Sequence, residues 1–278
     1  MPDTEIMRAI ARKVTRYLRR PEPLADVTCT GDYASWAEAM THCTGYGAPV
    51  ILERTCASLL KVKHGEAVFE RDSVLFDTPE YSFPVLTGLL RVALINGGRL
   101  SVVDVGGSLG SSYFQFRKFL SSSTTLEWSV VEQPAHVSCG REHFESDELH
   151  FFETIEECIA GHRPNVLLLS GVLQCLPDPY GALASFLSHR LPHVIIDRTA
   201  FLASGRDRLT IETVPDWIYP ATYPSWFLTE GKVTRALAAA GYSLVADFAG
   251  ADRLAPPDEG AYFKGFIYEL SAALPESA

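Results

Sequence analysis

From residue 100 onward, short apolar runs and amphipathic stretches alternate at regular spacing. The runs at 100–105, 127–132, 149–152, 165–170 and 192–197 are rich in β-branched and aliphatic residues, the pattern of strands buried on both faces. Between them, 111–121, 134–144, 155–161 and 179–190 carry apolar residues at helical spacing. Strand–helix alternation of this kind predicts a parallel, doubly wound sheet with right-handed crossovers. The last third departs from it. A helical run at 230–240 precedes Tyr242–Phe248, a proline-rich loop at 254–260, and Tyr262–Leu270. Two strands joined without a helix predict an antiparallel pair at the sheet edge.

Before residue 99 the pattern is helical. Ile6, Ile10, Val14, Tyr17 and Leu18 share one face of a stretch over 5–20, ringed by Arg8, Arg12, Lys13, Arg16, Arg19 and Arg20 and ended by Pro21 and Pro23. Such a basic amphipathic helix packs its apolar stripe on the body or meets an anionic surface. Further helical stretches fall around 33–42, near 51–63 and over 80–96, the last closed by Gly97-Gly98. A dense charge cluster, Glu70-Arg71-Asp72, lies between them. The expected fold class is α/β: a Rossmann-like, seven-stranded, mostly parallel sheet with one antiparallel edge strand, plus a helical N-terminal cap. The expected division is a cap or lid over 1–98 and a cofactor-binding domain over 99–278.

Composition narrows the partners. A formal net charge of −10 over 278 residues argues against nucleic acid, whose phosphates need a basic surface. No apolar run approaches the length of a membrane span. Met1 to Arg20 lacks an apolar core followed by a small-residue cleavage site, so a cytoplasmic protein is expected. The six cysteines, at 29, 43, 56, 139, 158 and 175, include no CxxC pair. Free thiols and no metal are the expectation from that spacing.

Candidate chemistry concentrates in Val102-Val103-Asp104-Val105-Gly106-Gly107-Ser108-Leu109-Gly110, a strand running into a glycine-rich turn before a helix. A turn of this kind offers bare backbone to a nucleotide-like ligand. Asp104 decides which one. A carboxylate at the strand end repels a pyrophosphate seated on the helix N-terminus, whereas the sulfonium and ammonium of S-adenosylmethionine are cations. Glu132, about 20 residues on at the end of the second strand, suits the two ribose hydroxyls. Gly106-Gly107-Ser108-Leu109-Gly110 also matches the Gly-x-Ser-x-Gly elbow of hydrolases. The order of that motif is Ser, then an acid, then His; the last histidine is His193, well before the final strands, and pairing it with Asp178 leaves acid and base in one short βα stretch, which is poor triad geometry.

With Asp104 to Gly110, the segments Gly31-Asp32-Tyr33-Ala34-Ser35-Trp36, Glu70-Arg71-Asp72-Ser73-Val74, Val172-Leu173-Gln174, Ile196-Asp197-Arg198-Thr199 and Tyr223-Pro224-Ser225-Trp226 carry a resemblance. The chain resembles the class I S-adenosylmethionine-dependent methyltransferases. More closely, it resembles a methyltransferase family of bacterial surface-polysaccharide and secondary-metabolite gene clusters. Ser108 departs from the usual turn, standing where the middle glycine is common, with Gly107 one step earlier. The expected cofactor site is Asp104, Gly106, Gly107, Ser108, Gly110, Glu132 and Gln133, with Ser170 added by its place at a strand end. Strand-end logic adds Gln174, Asp197 and Tyr223 as catalytic candidates, with Arg198 beside them. His136 is a candidate for the adenine edge or a helix-start residue. Trp217, Tyr219, Tyr223 and Trp226 fall in a segment placed to lid the pocket, where aromatic faces suit a sulfonium.

Three functions share this pocket. Methyl transfer to a small molecule or saccharide needs an oriented acceptor and a proton acceptor. Some proteins resembling the family convert S-adenosylmethionine itself to azetidine-2-carboxylate and methylthioadenosine, the α-amine displacing at the γ-carbon. That cyclisation needs Asp104 on the amine side and Tyr223 or Trp226 around the sulfonium. A non-catalytic partner subunit binds the cofactor without turnover. A homodimer through the N-terminal third, or a cap over the site, fits each of them.

Overall fold

The computed structural model describes residues 27–78, 80–122, 124–250 and 260–271. The basic stretch at 5–20 and most of the proline-rich loop lie outside them. The first described elements are β1 (Thr28–Tyr33), α1 (Trp36–Met40), α2 (Pro49–Lys63), the strands β2 (Phe69–Arg71) and β3 (Val74–Phe76), and α3 (Phe83–Ile95). The alternating core follows: β4 (Arg99–Val105), α4 (Ser111–Leu120), β5 (Thr125–Val131), α5 (Pro134–His143), β6 (Leu149–Phe152), α6 (Ile155–Gly161), β7 (Val166–Ser170) and α7 (Pro179–Ser188). A single 3-10 turn, Leu173–Cys175, sits between β7 and α7. The chain closes with β8 (His193–Leu202), β9 (Arg208–Val214), β10 (Ala221–Phe227), α8 (Glu230–Ala239), β11 (Tyr242–Ala249) and β12 (Ala261–Leu270).

The seven-stranded sheet runs β11-β12-β8-β7-β4-β5-β6. Neighbours from β8 to β6 are parallel, while β12 is antiparallel to both β8 and β11. Val102, Val103, Val105, Leu167, Leu168 and Leu169 are buried on both faces of it. One face packs α3, α4 and α5 through Leu89, Phe116 and Val137. The other packs α6, α7 and α8 through Cys158, Leu183 and Leu237. Crossover helices on both faces are what doubly buried strands require.

Local signals set the boundaries. Gly97 and Gly98 have φ of 64° and 87°, and the Gly98 N–H reaches Ala93 O at 2.8 Å. That is a Schellman ending for α3, and only glycine takes those backbone angles without strain. Thr154 caps α6 by accepting from the Glu157 N–H, and Asp178 caps α7 by accepting from the Gly181 N–H. No helix among the described residues is long and apolar enough to cross a membrane.

Strands the patterning did not reveal sit above the core. β1, β9 and β10 form a separate antiparallel sheet in the order β1-β9-β10. The residues 33–42, expected as helix, begin at the end of β1, and helix is confined to Trp36–Met40. The charge cluster at 70–72 is one arm and the turn of the β2–β3 hairpin. The segment expected to lid the pocket enters as β10 and the turn before it.

Candidate functional site

The parallel strands β4, β5, β6, β7 and β8 all end at one rim, and the cavity opens there. It measures about 1540 Å³. Its floor is Asp104 to Ser108, Val131 to Pro134, Glu153 to Glu156, and Ser170 to Val172. Its walls are α2, the β2–β3 hairpin, and the β1-β9-β10 sheet with the turn at Trp217 to Tyr219. Ligands of open α/β sheets bind outside the carboxyl ends of the strands, and this is that position.

The glycine turn is shaped around a carboxylate. Asp104, one residue before the end of β4, is only 1% exposed and accepts a hydrogen bond from Trp128 Nε1 at 3.1 Å. Burial pushes its carboxyl up to about 7, against the opposing effect of Trp128 and with a smaller push from Glu132. A Cβ on Gly107 meets the Asp104 Cγ at 2.6 Å, so the backbone lies against the acid only because that residue is glycine. Gly106 has a φ of 71° and crowds Val172 in the same way. Ser108 takes φ 55° itself, the left-handed turn conformation reached without the usual glycine.

Glu132 sits beyond β5, half-buried. Its carboxylate accepts from the Gln133 N–H at 2.8 Å and from the Ser108 N–H, which ties the second strand end to the glycine turn. Burial raises its pKa, while His136 and the two backbone donors oppose this. Gln133 and Ser170 line the same cavity.

Gln174 does too, on the 3-10 turn: its Nε2 donates to Arg198 O at 3.0 Å, and its buried Oε1 has no partner among the described residues. Tyr223 lines the opposite wall, its hydroxyl donating to Glu212 Oε1 at 2.9 Å and its ring edge-on to Tyr46 at 5.4 Å. Trp217 and Tyr219 also face the cavity.

Some expected residues are placed elsewhere. Gly110 is the buried N-cap of α4 with φ 96°, its Cβ position 3.1 Å from Leu149, so it shapes the turn from behind rather than lining the cavity. Asp197 pairs with Ser170 across β7–β8 and is 4% exposed, behind the wall. Trp226 donates its indole N–H to Leu176 O and packs on the core. His136 is buried in α5, stacked on Tyr46 at 6.4 Å, and does not reach the cavity lining. No histidine among the described residues lines the cavity, and His193 begins β8 at the far end of the sheet. The Ser108 elbow therefore lacks a base, and a hydrolase triad is not assembled.

The charge cluster supplies what the strand ends did not. Glu70, on β2, is 2% exposed and lines the cavity. It accepts from Ser111 Oγ at 2.7 Å and from the Ser73 N–H at 2.6 Å. Burial raises its carboxyl to about 7, with these hydrogen bonds and Arg198 opposing. Asp72 in the hairpin turn pairs with Arg198 Nη2 at 2.5 Å, fastening the hairpin to the end of β8. In all, eight carboxylates and two guanidiniums line the cavity among the described residues. That balance suits a cation and opposes a phosphate.

No protein-family model matches the chain, and no curated protein matches it. Among solved structures, the chain is similar to magnesium protoporphyrin IX methyltransferase from Synechocystis PCC 6803 with bound SAM: 13% identity over 68% of this chain and 79% of that one, TM-score 0.44. It is similar to SAM-bound amino pentose methyltransferase from Micromonospora echinaspora: 15% identity, 68% and 89% covered, TM-score 0.43. It is also similar to 1,6-didemethyltoxoflavin-N1-methyltransferase from Burkholderia thailandensis: 18% identity, 87% and 93% covered, TM-score 0.40.

Proposed function

We propose that this cavity binds S-adenosylmethionine and that the protein is a methyltransferase for a small-molecule or saccharide acceptor, of the kind built in bacterial secondary metabolism or surface-glycan synthesis. The observation that carries this is the bare Gly106-Gly107 backbone packed against a buried carboxylate, in a cavity lined by an excess of acids. The residues present fit the cofactor. Asp104 would hold its cationic amino-acid end, the bare backbone of Gly106 to Ser108 would lie against it, and Glu132, with Gln133 beside it, would accept from ribose hydroxyls. Ser170 closes the floor.

When bound, the cofactor supplies a sulfonium methyl with an excellent leaving group. The protein then has to orient an acceptor, exclude water and take up a proton. Glu70 is the proton acceptor in this proposal: buried, in the cavity wall, with a pKa about 7 that suits general-base work near neutrality. Gln174 offers its Oε1, which has no partner among the described residues, to an acceptor hydroxyl or amine. Tyr223, Tyr46 and Trp217 provide apolar and aromatic wall. Asp197 supports the β7–β8 end from behind.

The test is incubation of the pure protein with S-adenosylmethionine, alone and with a panel of amine, hydroxyl and sugar acceptors, followed by mass spectrometry. The cofactor is expected to persist alone and to yield S-adenosylhomocysteine only with an acceptor. Enzyme-dependent methylthioadenosine and azetidine-2-carboxylate from the cofactor alone contradict methyl transfer and establish cyclisation.

A further inference from the structure

Away from the cavity, α2 and α5 pack together and bring three soft donors to one point. Cys139 and His143 are four residues apart on α5, which places them on the same helix face. Cys56 projects from α2 to meet them. The two sulfurs and a ring nitrogen of His143 all lie within 4.8 Å of one another, and all three residues are half-buried. Glu142 Oε1 stands 3.7 Å from His143 Nε2. The Lys63 Nζ donates to His143 O, tying the ends of the two helices together.

We propose that Cys56, Cys139 and His143 bind a thiophilic divalent cation, zinc above all. Two sulfurs and an imidazole are a zinc donor set, and three protein ligands leave a fourth position for water or the Glu142 carboxylate. Binding moves the two thiol protons to solvent and forms two metal–thiolate bonds and one metal–nitrogen bond, with no change of oxidation state. A second cluster, Glu127, His150 and His162, is as compact. There the Glu127 oxygens are already engaged by Ser101, His162 and the Arg99 guanidinium, which competes with a cation. Among the described residues, no guanidinium or ammonium is paired with the sulfurs of the cysteine cluster. Its effect is to clamp α2, whose Ile51 and Thr55 line the cavity, to α5, which follows directly from Glu132 and Gln133.

The experiment is titration of the full chain, reduced and stripped with chelator, with cobalt(II) followed by zinc(II). One cobalt per chain is expected to give a thiolate-to-cobalt charge-transfer band and the visible bands of a tetrahedral ion, both erased by zinc. Cys139→Ser and His143→Gln should each weaken zinc binding by more than about 100-fold, beyond the loss typical of an outer-shell partner. His162→Ala should leave the bands intact. Zinc should raise the melting temperature of the wild type but of neither ligand variant, with circular dichroism reporting that each is folded. Absence of the charge-transfer band in folded wild type overturns the proposal. So does its persistence in Cys139→Ser, or a Cys56–Cys139 disulfide forming in place of metal uptake.

Discussion

Asp104 is a carboxylate that burial keeps partly protonated at neutral pH, because its pKa stands near 7. A cationic ligand favours the ionised form, so binding must expel a proton below that pKa. Affinity for S-adenosylmethionine is therefore expected to rise between pH 6 and 8, by up to about tenfold per pH unit at the acid end, and then to level off. Calorimetry in buffers of different ionisation enthalpy reads the released proton directly. An affinity independent of pH contradicts the role given to this residue. Gly107→Ala tests the same contact sterically: a methyl 2.6 Å from the Asp104 carboxyl carbon should cost at least about tenfold in affinity, or about 1.4 kcal/mol. Glu70→Gln should leave cofactor affinity within about threefold while lowering turnover about 100-fold or more, as removal of a general base does. Wild-type turnover in that variant rules Glu70 out as the base.

At the scale of elements, the joints are more demanding than the strands. Gly140 lets α5 lie on β6, since a Cβ there meets the Phe151 ring at 2.4 Å. Gly140→Ala is expected to cost about 1–3 kcal/mol through overpacking, read as a lower denaturation midpoint with unchanged m-value. The alternating core was legible because its signals are local: doubly buried apolar strands, Thr154 and Asp178 as caps, Gly97-Gly98 as a stop. The seven strands of the main sheet begin within two residues of where the pattern puts them, while β8 runs on to Leu202, past its expected end at 197. The β1-β9-β10 sheet was not legible for the opposite reason. Thr28-Cys29-Thr30-Gly31-Asp32-Tyr33 is mostly polar and exposed, and its strand partners are about 180 residues away. Glu70 was hidden likewise, since what buries it includes Ser111, 41 residues on. Asp104, Glu132 and the glycines were readable because chain order alone brings two adjacent parallel strand ends together. The convergence of Cys56 with Cys139 needed the packing of α2 on α5.

For the whole molecule, Asp104 and Glu70 set a pH dependence of stability. Both pKa values are raised on folding, from 3.8 and 4.5 to about 7, so the native state holds protons that the unfolded chain releases. Their contribution is complete below about pH 4 and is lost as pH rises through 7. For Asp104 alone this amounts to about 4 kcal/mol at 1.36 kcal/mol per unit. The melting temperature of the ligand-free protein should fall between pH 5 and 8, and fall less steeply in Asp104→Asn; parallel curves contradict this. The carboxylates with lowered values, such as Asp207 beside Lys232, act in the other direction, losing their contribution only in acid.

The most direct test of the central claim is calorimetric titration of S-adenosylmethionine into the wild type and Asp104→Ala at pH 8. Saturable binding of one cofactor per chain, weakened at least about tenfold in the variant, is the expected result. No binding to folded wild type, or equal affinity in the two proteins, contradicts it.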